Sequence, residues 1–308
     1  SVWAGAASRV HPWALAALPK ALPPGAYRLG ELGVELDPGA AALSWELGSY
    51  AFDLYRARRR APATLMLPPS EPARRALVVA TAIAATRDLV NTPAEHLGPA
   101  ELAEAVRLAA KASGARFRQT VGDELLGAGF PAIHAVGRAA ARAPRLVELT
   151  WGSPRHPRLT LVGKGVCFDS GGLDIKGAEG MRLMKKDMGG AAHALALAQM
   201  IMALGLPLRL QLLIPAVENA IAGNAYRPGD VIRTRKGLSI EVGNTDAEGR
   251  VILADALAYG AESDPGLMID LATLTGAART ALGPQLPALF CRAMPTAREL
   301  VDLGLELG

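Results

Sequence analysis

The sequence predicts an α/β fold: a C-terminal α/β domain with a central mixed sheet flanked by helices, preceded by a smaller and incomplete N-terminal α/β unit. Three observations lead there. From Arg145 onward, short apolar runs alternate with apolar stretches of helix length, the pattern of strands and helices layered around one sheet. Half of the residues are hydrophobic and a fifth are charged, enough for a sizeable core. Polar, Gly-rich segments follow the apolar runs, where ligands of open α/β sheets sit.

Residues 1–60 contain Pro-rich turns and then a helix predicted over 41–58. Residues 60–72 read as a linker or a final strand with turn signals. Glu71-Pro72 opens a helix over 73–89, with Pro in its first turn, that ends at Asn91-Thr92-Pro93. A second helix covers 99–112. Strands are predicted over 145–150, 158–162, 208–215 and 267–271, and helices over 189–204 and 250–262. Residues 229–235 and 238–242 flank Lys236-Gly237 and read as a hairpin. Lys164, Glu218 and Thr273 are placed just past strand ends. This divides the 308 residues into 1–70, a partial N-terminal domain and linker, and 71–308, the main domain.

Composition narrows the classes. No apolar run is long enough to span a bilayer. The opening residues, SVWAGAASRV, lack the basic start and apolar core of a signal peptide, and the chain begins at Ser1 rather than Met. Cys167 and Cys291 are the two cysteines; far apart in sequence, they argue against a disulfide framework and for a reducing compartment. Net charge is +4 and the pI about 9.2. A basic balance suits an anionic partner, although the densest block, Arg56, Arg58, Arg59 and Arg60, is of the kind that usually forms a solvated face.

The informative region runs from Lys164 to Arg250. It carries Lys164, Asp169, Lys176, Asp187, Asp246, Glu248 and Arg250, with His193 as its one histidine. Buried carboxylates must be paired, metal-bound or protonated. Gly163-Lys164-Gly165 invites a phosphate-loop interpretation, but the required glycine spacing is absent. Asp187 precedes an Ala-rich helix, where an N-cap carboxylate is ordinary. Asp246, Glu248 and Arg250 are spaced by two, which puts them on one side of an extended chain just before a helix N-terminus. Singly, each segment also fits a surface turn. Together they suit oxygen-ligated Mg²⁺, Mn²⁺ or Zn²⁺, and four carboxylates can hold two such ions when one or two of them bridge.

The segments Val162-Gly163-Lys164-Gly165, Phe168-Asp169-Ser170-Gly171-Gly172 with Lys176, Met184 with Asp187-Met188-Gly189-Gly190-Ala191-Ala192, and Asn244-Thr245-Asp246-Ala247-Glu248-Gly249-Arg250 resemble the leucyl aminopeptidase (cytosol aminopeptidase) family of two-metal exopeptidases. The last segment is highly specific to that family. Leu89-Val90-Asn91-Thr92-Pro93 and Thr273-Leu274-Thr275-Gly276-Ala277 also match.

The resemblance implies release of N-terminal residues of leucine type from peptides, through a water activated by two ions, Mn²⁺ or Zn²⁺ with Mg²⁺ as a further choice. It implies metal ligation by Lys164 as a neutral amine and by Asp169, Asp187, Asp246 and Glu248, with Asp169 and Glu248 bridging. Lys176 would stabilise the oxyanion. Arg250, with Gly249, would hold a bicarbonate acting as general base. Met184 and Thr273 would line the side-chain pocket; Asn244, Leu274 and Gly276 would lie along the substrate backbone. The implied catalytic protein is a cytoplasmic homohexamer, longer than this chain by a C-terminal stretch that completes the pocket and the subunit contacts. Two alternatives come with the same residues: a DNA-binding protein, motivated by the pI and the arginines, and a two-metal phosphoesterase.

Overall fold

A computed structural model describes residues 13–30 and 37–307. Parts of the expected 1–70 unit, residues 1–12 and 31–36, lie outside the described residues.

Ten strands are described: β1 Ala26–Tyr27, β2 Thr64–Leu65, β3 Arg116–Val121, β4 Arg145–Trp151, β5 Arg158–Gly163, β6 Gly165–Asp169, β7 Arg209–Asn219, β8 Val231–Arg233, β9 Ser239–Glu241 and β10 Leu267–Leu271. The main sheet is mixed, in the order β10-β5-β7-β4-β3, with β6 also paired to β7. β5, β6 and β10 run parallel to their neighbours, while β4 runs antiparallel to both β3 and β7.

β7 shows why these sequences make this sheet. Leu210, Leu212 and Ile214 face a core built with the helices Pro99–Ala112 and Gly189–Ala203. Leu213 and Val217 face a second core with the helices Pro131–Gly137 and Glu248–Ala261. A strand covered on both faces reads as one apolar run rather than an alternation. β7 is longer than the expected 208–215 because it pairs with two strands in succession, β5 along 209–213 and then β6 along 216–219. Glu218 therefore lies inside β7 and not past its end. β3 and β6 were not expected: β3 is a polar edge strand, and β6 lies in a Gly-rich segment that reads as a turn.

The first long helix is Pro38–Ser49, shorter than the expected 41–58. Its end has two causes. Buried Trp45 donates its Nε1–H to the Ala63 carbonyl at 2.9 Å, drawing the returning chain onto the helix. Arg58 turns back to donate to the carbonyls of Ser49 (3.2 Å) and Ala51 (3.4 Å), which the helix leaves unbonded. Glu71–Asn91 matches expectation, with Pro72 in its first turn and the Ser70 hydroxyl accepting from Ala73 N. The hairpin is also as expected, Ile232 opposite Ile240, with Gly237 at φ 81° in its turn.

Small residues set the distance between the helix Gly189–Ala203 and the sheet. A Cβ on Gly190 would lie 2.1 Å from the Leu271 carbonyl oxygen, and one on Gly163 would lie 2.6 Å from the Ala191 Cα. Gly190→Ala is therefore expected to destabilise the protein by about 1–3 kcal/mol through overpacking against backbone. Urea denaturation checks this, and an unchanged midpoint would contradict the packing described.

Candidate metal centre

The predicted ligands meet at the ends of β5, β6 and β10. Lys164 fills the one-residue gap between β5 and β6. Its backbone is held on both sides: its N–H donates to Leu271 O at 3.0 Å, and its carbonyl accepts from Ala191 N at 2.9 Å. Its side chain runs beneath the start of the helix Glu248–Ala261, where a Cβ on Gly249 would lie 2.6 Å from Lys164 Cε. Its Nζ lies 2.8 Å from Asp187 Oδ2 and 2.9 Å from Glu248 Oε1, and donates to Thr273 O at 2.7 Å.

Asp169 ends β6. Its Oδ1 accepts from Gly171 N and from Asn219 Nδ2, both at 2.9 Å, while its Oδ2 faces Lys176 Nζ at 2.9 Å. Lys176 also pairs with Asp246. Asp187 sits in the 3₁₀ turn Met184–Met188, and its Oδ1 accepts from Thr273 Oγ1 at 2.8 Å. Asp169, Asp246 and Glu248 each present a carboxylate oxygen within 4.8 Å of the others. Lys164, Asp169, Asp187 and Glu248 are each no more than 2 % exposed.

One local expectation is corrected. Asp246, Glu248 and Arg250 do not lie in extended chain. Asp246 is in the 3₁₀ turn Thr245–Ala247, and Glu248 is the first residue of the following helix. Asn244 Oδ1 accepts from Asp246 N at 2.7 Å and starts the turn. The turn brings Asp246 and Glu248 together, whereas Arg250 stands exposed one turn into the structure.

The electrostatics follow from burial and neighbours. Burial pushes the Glu248 carboxyl up to about 7, with Lys164 pulling down and Asp169 and Asp187 adding to the rise. Asp246 is raised by its burial, against the pull of Lys176. Burial disfavours both ammonium groups, but the carboxylates outweigh it: Glu248 and Asp187 raise Lys164, and Asp246 and Asp169 hold Lys176 well above the ordinary lysine range. The carboxylates of Asp169, Asp187, Asp246 and Glu248 face the ammonium groups of Lys164 and Lys176, with the more exposed Lys186 Nζ 3.7 Å from Asp187 Oδ1, so carboxylates outnumber cations. Glu248 Oε2, Asp187 Oδ2 and Asp246 Oδ1 are buried and accept no well-directed hydrogen bond. Oxygens of this kind, with an amine beside them, fit hard divalent cations.

The other predicted positions surround this cluster. Thr273, expected to line a pocket, touches the cluster: its carbonyl accepts from Lys164 and its hydroxyl donates to Asp187. Met184 opens the Asp187 turn. Leu274 is half exposed, and Gly276 caps the helix Ala277–Leu282. His193 lies outside the cluster, its Nδ1 against Gly189 O of its own helix. Sequence reasoning missed a support layer, buried at Thr245 and Tyr226 and exposed at Asp174. Thr245 Oγ1 donates to Gly171 O at 2.6 Å, Asp174 Oδ2 accepts from Thr245 N at 2.7 Å, and Tyr226 OH donates to Thr245 O at 2.5 Å. The one available signal was the polar Asn219 at the end of an apolar run.

Comparison with known proteins places this geometry. Residues 84–308 match the model of the cytosol aminopeptidase family, catalytic domain, and residues 1–68 match that of the M17 aminopeptidase N-terminal domain. The chain belongs to the cytosol aminopeptidase family. A crystal structure of the cytosol aminopeptidase from Coxiella burnetii is 55% identical with a TM-score of 0.91, over 96% of this chain and 65% of that one. The bottromycin maturation enzyme BotP, in complex with Mn, is 38% identical with a TM-score of 0.87, over 94% of this chain and 66% of that one. A probable cytosol aminopeptidase of Rhodococcus jostii (strain RHA1) is 40% identical across 83% of this chain and 54% of its own length. The chain spans about half the length of the curated relatives it matches.

The raised Glu248 carboxyl makes a signed prediction. A folded-state pKa above the ordinary value of 4.5 contributes stability that is complete below 4.5 and lost as pH rises through about 7. In excess chelator, the thermal midpoint of the wild-type chain should therefore fall between those pH values relative to that of Glu248→Gln. Added Mn²⁺ should reverse the fall. Parallel pH profiles for the two chains would contradict it.

Proposed function

We propose that the protein is a metal-dependent aminopeptidase holding two divalent cations, Mn²⁺ or Zn²⁺, with leucine-type N-terminal residues as preferred substrates. The observation that carries this reading is the convergence of buried Asp169 and Glu248 with partly exposed Asp246, Lys164 and Asp187 standing alongside, where Asp246 and Glu248 come from Asn244-Thr245-Asp246-Ala247-Glu248-Gly249-Arg250. The complex of BotP with Mn supports the choice of metal.

In this reading Lys164, Asp169, Asp187, Asp246 and Glu248 hold the ions. The chemistry that two bound cations supply is polarisation of the scissile carbonyl and a lowered pKa for an attacking water. Lys176 has one ammonium already fixed by Asp169 and Asp246. A cation held beside the carboxylates in this way is suited to stabilising a developing oxyanion. Arg250, exposed at the first turn of a 14-residue helix beside Gly249, is the position for a bicarbonate that accepts the water's proton. Met184 and Thr273 border the substrate side chain, and Asn244, Leu274 and Gly276 its backbone.

Two domains, 1–70 and 71–308, a homohexamer and a cytoplasmic location belong to the same proposal. Among the described residues no helix is long and apolar enough to cross a membrane. In the block that motivates the DNA-binding alternative, two of the four arginines are already engaged within the chain. Arg58 pairs with Asp53 at 2.8 Å, and Arg60 bonds the Lys20 carbonyl. Among the described residues no contact favours a phosphoesterase.

The test is hydrolysis of leucine amides by the full-length protein reconstituted with Mn²⁺ or Zn²⁺. Asp246→Asn removes a ligand charge and should lower kcat/KM more than about a hundredfold, beyond the loss typical of residues that only support ligands. Full-length protein that cleaves no leucine amide with either metal would remove the reading.

A further inference from the structure

We propose that Asn219 is a positioning residue that sets the orientation of the Asp169 carboxylate before any cation binds; this rests on the metal-centre reading above. The argument starts from register. Asn219 ends β7, and Asp169 ends β6 directly opposite it in a parallel pair. Neighbours at one level of such a pair project to the same side of the sheet. An amide therefore faces a carboxylate across the ladder.

Both amide hydrogens are used, and both on the site. Nδ2 donates to Asp169 Oδ1 at 2.9 Å and to Thr245 O at 3.0 Å. With Gly171 N also on Oδ1, the Asp169 carboxylate cannot rotate, and Oδ2 is aimed at the cluster. The second bond ties the same amide to the turn that carries Asp246 and leads into Glu248. One side chain thus spans two of the three chain segments that supply carboxylates. Its main-chain carbonyl adds a further tie, accepting from Ser170 N (3.2 Å) and Ser170 Oγ (2.6 Å) on the loop that leads to Lys176.

The amide cannot be reversed. Flipped, its oxygen would face two acceptors, Asp169 Oδ1 and the Thr245 carbonyl. As placed, its own Oδ1 is buried and has no partner, on a residue only 1% exposed. An unmade bond of that kind is unfavourable for folding. The acceptors do not need Asn219 to be satisfied: Asp169 Oδ1 keeps Gly171 N, and Thr245 O keeps Tyr226 OH. For stability alone an apolar residue of similar size serves as well. The feature explained only by the site is the donation that orients Asp169. Gly172 fits this account, since it has φ 67° and a Cβ there would lie 2.9 Å from Asn219 Oδ1.

The experiment is titration of the full-length protein and its variants with Mn²⁺ alone. Binding is followed by the electron paramagnetic resonance of free Mn²⁺, and thermal midpoints are measured in chelator. Asn219→Leu should bind Mn²⁺ about 10–100-fold more weakly, the range for loss of a residue that orients a metal ligand, with a midpoint in chelator no lower than wild type. Asn219→Ser, too short to reach Asp169, should show the same loss and provides the test if the leucine variant does not fold. Tyr226→Phe removes the other donor to Thr245 O without touching Asp169 and should keep affinity within about threefold. Unchanged affinity in both Asn219 variants, with wild type binding, overturns this inference and leaves the proposed function standing. Equal weakening by Tyr226→Phe also overturns it, because the effect would then run through the loop. Wild-type protein that takes up no Mn²⁺ overturns both.

Discussion

The arrangement depends on Lys164 reaching two buried carboxylates from a one-residue gap between strands. Asp187 and Glu248 come from distant parts of the chain and are almost wholly out of solvent. Without a cation between them they would repel or take up protons. The ammonium of Lys164 lies within 3 Å of both. Removing one partner from a buried pair of this kind typically costs about 3–5 kcal/mol, because the remaining charge is left uncompensated. The surrounding small residues follow from that reach. Gly249 leaves room for the lysine stem, and Gly163 and Gly190 let the helix and the strands close around its backbone.

The same constraint explains the length of β7. A single strand that pairs first with β5 and then with β6 holds the two pieces in line across the break where Lys164 emerges. The break costs little in hydrogen bonding, since the Lys164 N–H and carbonyl find Leu271 and Ala191. Thr273, just past β10, then closes the shell by accepting from Lys164 and donating to Asp187. The strand ends are thus both scaffold and lining.

Much of this was legible in the sequence. The α/β alternation identified the mixed sheet, and the specificity of Asn244-Thr245-Asp246-Ala247-Glu248-Gly249-Arg250 identified the family. The illegible parts share a cause. β6 hides in a segment whose glycines mimic a turn, and β3 is polar because it is an edge. The helix predicted to 58 stops at Ser49 because of contacts from Arg58 and Ala63, which local propensity does not record. Spacing by two suggested an extended chain, whereas a 3₁₀ turn and a helix start bring Asp246 and Glu248 together. The support layer of Asn219, Thr245, Asp174 and Tyr226 was missed because hydroxyl, amide and carboxylate groups in loops look alike until their partners are known.

The scattered origin of the charges has a kinetic consequence. The bond from Lys164 to Thr273 spans 109 residues of chain, and that from Asp174 to Thr245 spans 71. Closing loops of such length is slow compared with forming a helix or a hairpin. Asp169 and Lys176 are near each other in sequence, but Lys164 meets Asp187, Glu248 and Thr273 together only when segments from β5 through β10 have come into place.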